Sequence, residues 1–268
     1  MFRRVCLSAL LGLAACACAA ENGPPPLDEE QLRDAEFIGN FSIPNAGEIF
    51  TAFSKSGKPD WSAFFRRQPP TPHTSRPLIA LNLGTRIADG FLAAEAQDRQ
   101  QVKNVSMEIK LLAKSLGLEQ EYVGRSNSIA DFADSRQWDA LDEELDAVQG
   151  EIAAAMSAQR DDHLVALMSL GCWLRSVEIV SAQLASNYTT DGAKILRQPA
   201  VGAFFVASLG SLPARTKAIP IVAELQQRLP ALDAALSLPS ENPPNSGAVA
   251  AMRNLATGMV NLITAPEK

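Results

Sequence analysis

Apolar residues recur along this chain at spacings of three and four, the repeat of one face of an α-helix. Val102, Val105, Ile109, Leu112 and Leu116 keep that rhythm, and Gly117 stands directly behind them as a C-terminal stop. Trp138, Leu141, Leu145, Val148, Ile152 and Met156 repeat it, with Asp139, Asp142, Glu143 and Asp146 on the other faces. Val249, Met252, Leu255, Met259 and Leu262 do so again near the C-terminus. Segments 76–97 and 161–186 are apolar around most of their circumference, so both are expected at the centre of a bundle, packed on several sides.

Shorter helices are expected at Asp28–Phe37 and Asn45–Ser54, and two or three more between 190 and 235, interrupted at Pro199, Pro213, Pro220 and Pro230. The stretches "RRQPPTPHTSRP" (66–77) and "SLPSENPPNSG" (237–247) are too rich in proline to be helical and mark loops. No run alternates apolar and polar residues as a half-buried strand would. The pattern predicts an all-α bundle of roughly eight to ten helices with two central apolar helices, folded as one domain over residues 27–268. A faint echo links "IALNLG" (79–84) to "VALMSLG" (165–171). It reads equally as a duplicated helix pair or as chance in a Leu- and Ala-rich chain, and no 34-residue period supports a tetratricopeptide array.

The N-terminus has a different character. Arg3 and Arg4 precede an apolar stretch, Val5–Ala15, that is too short to span a bilayer, and small residues follow: the pattern of a removable secretory signal over residues 1–15. Within it, Leu13-Ala14-Ala15-Cys16 resembles the lipobox of bacterial lipoproteins. The resemblance implies that Cys16 is acylated and becomes the new N-terminus, anchoring the chain to a membrane. Ala17 behind it, where an Asp would imply retention at the inner membrane, implies the outer membrane by likeness to diderm lipoproteins. An ordinary cut after Ala17-Cys18-Ala19 is the alternative. Residues 16–26, with three consecutive prolines, read as an extended tether that reaches at most about 35 Å.

Charge narrows the field. The 24 Lys and Arg face 30 Asp and Glu, and losing Arg3 and Arg4 with the leader takes the net charge to about minus eight. A chain this acidic lacks the basic footprint of a nucleic-acid binder. Cys6, Cys16 and Cys18 lie in or beside the leader, so Cys172 alone belongs to the folded domain, where no disulfide can form; it is expected to be a buried small hydrophobe.

No HExxH, GxSxG, SxxK, glycine-rich phosphate loop or EF-hand loop occurs. His73 and His163 lack the ExxH partner of a bundled di-metal site, so no catalytic residue, metal or cofactor is expected. The informative residues are charges set in the two apolar helices. Arg86 and Asp89 stand three apart in one, Arg175 and Glu178 three apart in the other. If buried they must be paired, either as a staple between the helices or as a polar pocket for a carboxylate or phosphate. In "KSGKPDWSAFFRR" (55–67), Trp61 and the phenylalanines fill the core under a loop, or else Lys58, Trp61, Phe64, Arg66 and Arg67 form a surface for lipid or a partner. Asp142-Glu143-Glu144 reads as a solvated helix face.

The expectation is an exported, lipid-anchored helical protein of the cell envelope. It binds a protein partner or a small anionic ligand without catalysis. The alternatives are an unfamiliar enzyme or ligand site around Arg86, Asp89, Arg175 and Glu178, and a structural oligomer, which an exposed apolar stripe on the 138–156 helix would mark.

Overall fold

A computed structural model of the chain describes residues 36–38, 41–66, 73–237 and 243–266. The leader, Cys16, the tether and Arg67 lie outside the described residues. The fold is an all-α bundle. Among the described residues there are ten α-helices of six residues or more: α1 (Ala46–Ser54), α2 (Arg76–Glu95), α3 (Arg99–Ser115), α4 (Glu119–Ser135), α5 (Trp138–Ala158), α6 (Asp162–Ser186), α7 (Thr190–Ile195), α8 (Pro199–Ser211), α9 (Pro220–Leu236) and α10 (Ser246–Thr264). A 3-10 turn, Trp61–Phe64, precedes α2, and a single helical turn, Ala214–Lys217, precedes α9.

The turns set the topology. Gln97, Gly117, Arg136 and Arg160 lie between consecutive helices from α2 to α6, and each has positive φ, from 53 to 80°. At each, the next amide donates to the carbonyl five residues earlier: Asp98 to Ala93 (3.1 Å), Leu118 to Ala113, Gln137 to Phe132 and Asp161 to Met156 (2.9 Å each). These are left-handed helix caps of the Schellman type. Only one of the four carries glycine, so three leave no mark in the sequence. Such short connections make successive helices antiparallel. Counting four reversals, α2 and α6 must run in the same direction.

They do, and in close contact. Arg76 pairs with Asp161 at the start of the two helices (2.7 Å), and Asp89 with Arg175 further along both. Between these pairs the backbones touch. A Cβ on Gly84 would collide with the carbonyl oxygen of Met168 and come within 2.8 Å of the Cys172 nitrogen, while one on Gly171 would collide with the carbonyl oxygen of Leu81. The two glycines of the sequence echo are therefore the crossing point of two helices.

Seventeen of the 20 residues of α2 and 18 of the 25 of α6 are buried, as expected of central helices. Helix α6 is the one helix among the described residues long and apolar enough to cross a membrane, and 94% of that window is buried inside the fold. Around the pair, α3, α4 and α5 form one antiparallel layer, α10 covers α6, α9 packs on α8 and α10, and α1 lies across both central helices. Asn82 ties the end of α10 to α2 by donating to the Ile263 carbonyl (2.7 Å). Cys172 is buried.

Four expectations are corrected. Glu36–Ile38 pairs antiparallel with Phe41–Ile43, so the end of the predicted 28–37 helix is a strand. Each strand is three residues long, too short to show as alternation in the sequence. Helix α4 was not anticipated: it is mostly polar, with Ile129 and Ala133 buried, and it is held between α3 and α5 by its caps and neighbours. Pro230 does not interrupt its segment but lies inside α9. It faces solvent, while Leu225, Leu229 and Leu232 are buried, so the one backbone bond it removes is lost on the wet side. Asp142 and Glu144 are half-buried, leaving Glu143 as the exposed member of the acidic run.

The crossing gives a sharp contrast between two glycines. Gly84→Ala has nowhere to put its methyl and is expected to cost at least about 3 kcal/mol or to prevent folding. Gly150→Ala, in mid α5 with open space around it, should stabilise by about 0.5–1 kcal/mol. Urea unfolding followed by circular dichroism measures both; a Gly84→Ala protein as stable as the native one would show that the helices do not touch there.

Candidate functional site

The four charged residues singled out in the central helices come together. Asp89, 3% exposed, is the hub. Its Oδ1 accepts from Arg175 Nε (2.8 Å), and its Oδ2 accepts from Arg86 Nη1 (3.2 Å). A third guanidinium reaches the same Oδ2 from the segment after the 3-10 turn: Arg66, through Nε (2.9 Å) and Nη2 (2.7 Å). Arg175 also donates to Glu178 Oε2 (2.7 Å) and to the Phe64 carbonyl (2.6 Å), and Arg66 Nη2 to the Thr85 carbonyl (3.1 Å). Arg86 Nε lies 3.3 Å from Glu108 Oε2 on α3.

Three guanidiniums thus face three carboxylates, and the cluster is neutral. Its geometry is that of the staple. None of Arg86, Asp89, Arg175 or Glu178 lines the surface groove above the cluster. Burial alone would push the Asp89 carboxyl up, but the positive charges of Arg66, Arg175 and Arg86 outweigh it and hold the group below the usual carboxylate range. Burial would likewise lower Arg175, but Asp89 and Glu178 hold it above its ordinary value. Arg66 fares differently. Burial brings it down to about 10, and its attraction to Asp89 is countered by repulsion from Arg175 and Arg86. Burial also pushes the Glu108 carboxyl up, against the pull of Arg86.

Arg66 and Glu108 reach the surface in a groove of about 720 Å³ between the 3-10 turn and α3. Its walls are Ser62, Ala63, Phe65 and Arg66 on one side, and Gln101, Asn104, Met107, Glu108 and Leu111 on the other. Met107 and Leu111 are each 62% exposed, the most open large apolar side chains among the described residues. They belong to the face of α3 that turns away from the buried seam of Val102, Val105, Ile109 and Leu112.

The stretch 55–66 divides. Trp61 is buried, its ring 5.1 Å from Phe50 and 5.9 Å from Phe53, so it fills the core under the loop. Phe64 is half-buried against the core, Lys58 is exposed, and Arg66 belongs to the charge cluster. His73 is buried, and His163 stands half-buried in the first turn of α6. Among the described residues no three His, Cys, Asp or Glu side chains are grouped to hold a metal. Sequence reasoning missed Glu108 and the part Arg66 plays. A signal existed for Glu108, which sits beside Ile109 on the edge of the apolar seam.

Comparison of the chain with protein-family models, with curated proteins and with solved structures finds no match.

Two stability measurements follow. Asp89→Asn keeps the shape but removes the charge that three guanidiniums share, and should cost about 3–5 kcal/mol at pH 7. The contribution of Asp89 is present above the unfolded pKa near 4 and is lost as the pH falls through the lower folded value. Asp142 works the other way: burial, with Glu95 and Asp139 nearby, pushes it up to about 7. The folded protein then keeps a proton that the unfolded chain has released, so stability falls as pH rises from about 4 to about 7. Asp142→Asn should therefore gain more over the native protein at pH 8 than at pH 5, by about 2 kcal/mol. Equal gains at the two pH values would refute this account of Asp142.

Proposed function

We propose that this chain is a lipid-tethered, non-catalytic binding protein of the bacterial cell envelope, and that it binds in the groove between the 3-10 turn and α3. One observation carries the reading: Met107 and Leu111 expose apolar surface on a concave site whose wall includes Arg66 and Glu108. Exposed apolar groups gathered at a concave site mark binding surfaces, and small-molecule pockets pair apolar walls with a few polar groups in this way. At the central helices Asp89, Arg86, Arg175 and Glu178 are occupied with one another, so neither a ligand pocket nor a catalytic site has support there. Assembly through α5 has no support of that kind: Leu141, Leu145, Val148, Ile152 and Met156 are all buried.

The location rests on the leader, and its test is direct. Expressed in a diderm bacterium, the chain should incorporate an alkyne-tagged fatty acid and sediment with the outer membrane. Cys16→Ser should do neither. A native protein found in the periplasmic fluid, with an N-terminus beyond Cys16, would end the tether reading. For the groove, native mass spectrometry of the full chain extracted from the envelope should show a mass excess that denaturation removes and that Leu111→Asp lacks. A bare native protein would count against a retained ligand.

A further inference from the structure

Of the ten helices among the described residues, α8 alone carries no charged side chain. Its inner face is accounted for. Val201, Gly202, Phe205 and Leu209 are buried, and the Phe205 ring lies 5.1 Å from that of Trp173 on α6. Helix α9 runs antiparallel beside it: a side chain on Gly202 would meet Asp233, and the Leu209 carbonyl accepts from Gln226 (2.7 Å). The outer face is different. Pro199, Ala203, Ala207 and Gly210 are exposed there, with Phe204 and Val206 half-buried beside them. A surface helix in water turns polar residues outward, and one that is apolar all round belongs where it is covered on every side.

Charge is sorted along the same stretch. No Asp or Glu occurs from residue 192 to 223, which holds Lys194, Arg197, Arg215 and Lys217; outside it the other 20 Lys and Arg face all 30 Asp and Glu. These cations flank α8. Arg197 comes just before it, and Lys217 folds back to donate to the Gly210 carbonyl in its last turn (3.2 Å), with Arg215 exposed in the same connection. The nearest acids in sequence are engaged, Asp191 with Lys194 (2.7 Å) and Glu224 with Arg228 (2.8 Å), and Asp233 lies on the covered side against Gly202. Ile195 before the helix, and Ile219 and Ile221 after it, are also half-buried.

We propose that α8 docks on a bilayer surface carrying anionic phospholipid, with Ala203, Phe204, Val206 and Ala207 toward the acyl boundary and Arg197, Arg215 and Lys217 among the headgroup phosphates. The inference uses neither the groove nor the leader.

The charges choose this occupant. An apolar helix face bordered by cations is the pattern of an interfacial helix, held both by apolar burial and by attraction to anionic lipid. A second copy is disfavoured, because a two-fold contact through α8 would bring the cations of both copies into one interface. At 13 residues the helix is about 20 Å long, short of a hydrocarbon core of about 30 Å, so it lies on the membrane and does not cross it.

Hydrogen exchange read by mass spectrometry tests the docking. The full chain extracted from the envelope is placed on vesicles of phosphatidylcholine with about 30 mol % phosphatidylglycerol, and on vesicles of phosphatidylcholine alone. Amides of residues 196–219 should exchange at least about tenfold more slowly on the anionic vesicles, a difference that high salt removes, while those of α3 stay as they were. Arg215→Glu and Ala207→Asp, both at exposed positions, should each abolish the difference with an unchanged unfolding midpoint. Equal exchange on the two kinds of vesicle would overturn the proposal, as would a difference that survives both substitutions. Slow exchange without vesicles that deepens with protein concentration would make a second copy the cover instead. A chain that floats with both kinds of vesicle while 196–219 stay unprotected is held by its tether alone, and the docking falls. One found without lipid on Cys16 that still sediments with anionic vesicles, and shows the protection, keeps the docking and loses the tether.

Discussion

The parallel approach of α2 and α6 at Gly84 and Gly171 is the constraint from which the rest of the fold follows. At that crossing each helix presents bare backbone to the other, because a Cβ on either glycine would overlap a carbonyl of its neighbour. Interiors are packed densely enough that a single extra methyl must displace something, and a backbone carbonyl inside a helix cannot give way. So close an approach buries both helices on nearly every side, and only apolar residues or fully paired polar ones can then occupy them. The sequence obeys this. Thr85, Ser176 and Ser181 return their hydroxyls to carbonyls of their own helix, and Asn82 reaches α10.

The charged residues obey it at greater cost. Buried ion pairs seldom add net stability over apolar replacements, yet a pair broken on one side is severely destabilising. What Asp89 and Arg175 contribute is therefore better understood as register. A slip of α2 along α6 by one turn would separate them and strand both charges in the core, while the apolar residues on either side would hardly discriminate. With a third guanidinium brought in by Arg66, one carboxylate serves three cations. Burial, with repulsion from Arg175 and Arg86 added to it, lowers Arg66, the one nearest the surface.

How far the sequence anticipates this depends on whether the signal is periodic. The bundle, its two central helices and the helices at 99–115, 138–158 and 246–264 are legible because burial on one face writes a repeat of three and four into the chain. Helix α4 is not, since its fixing comes from caps at Gly117 and Arg136 and from neighbours on two sides. Asp142 is misread for a related reason. A carboxylate beside other acids looks solvated in sequence, whereas Glu95 approaches it from another helix. At the site, spacing was enough to mark Arg86 with Asp89 and Arg175 with Glu178. It could not bring in Arg66 or Glu108, whose membership is set by how the 3-10 turn and α3 pack on α2.

The proposed tether and the proposed binding groove bear on one another. A tether of residues 16–26, reaching about 35 Å at most, would keep the bundle within a few tens of ångströms of a bilayer anchored at Cys16. A molecule held in or at that layer would meet the groove at a concentration far above that in free solution, as for any binding step confined by a linker. A site of modest affinity would then be sufficient, which suits an open groove with two exposed apolar side chains. A deep, dry pocket would be needed by a protein that meets its ligand only by diffusion from bulk water. Were Cys16 to carry a lipid as proposed, that lipid would supply the attachment, and the net negative charge would be no obstacle to working close to a membrane.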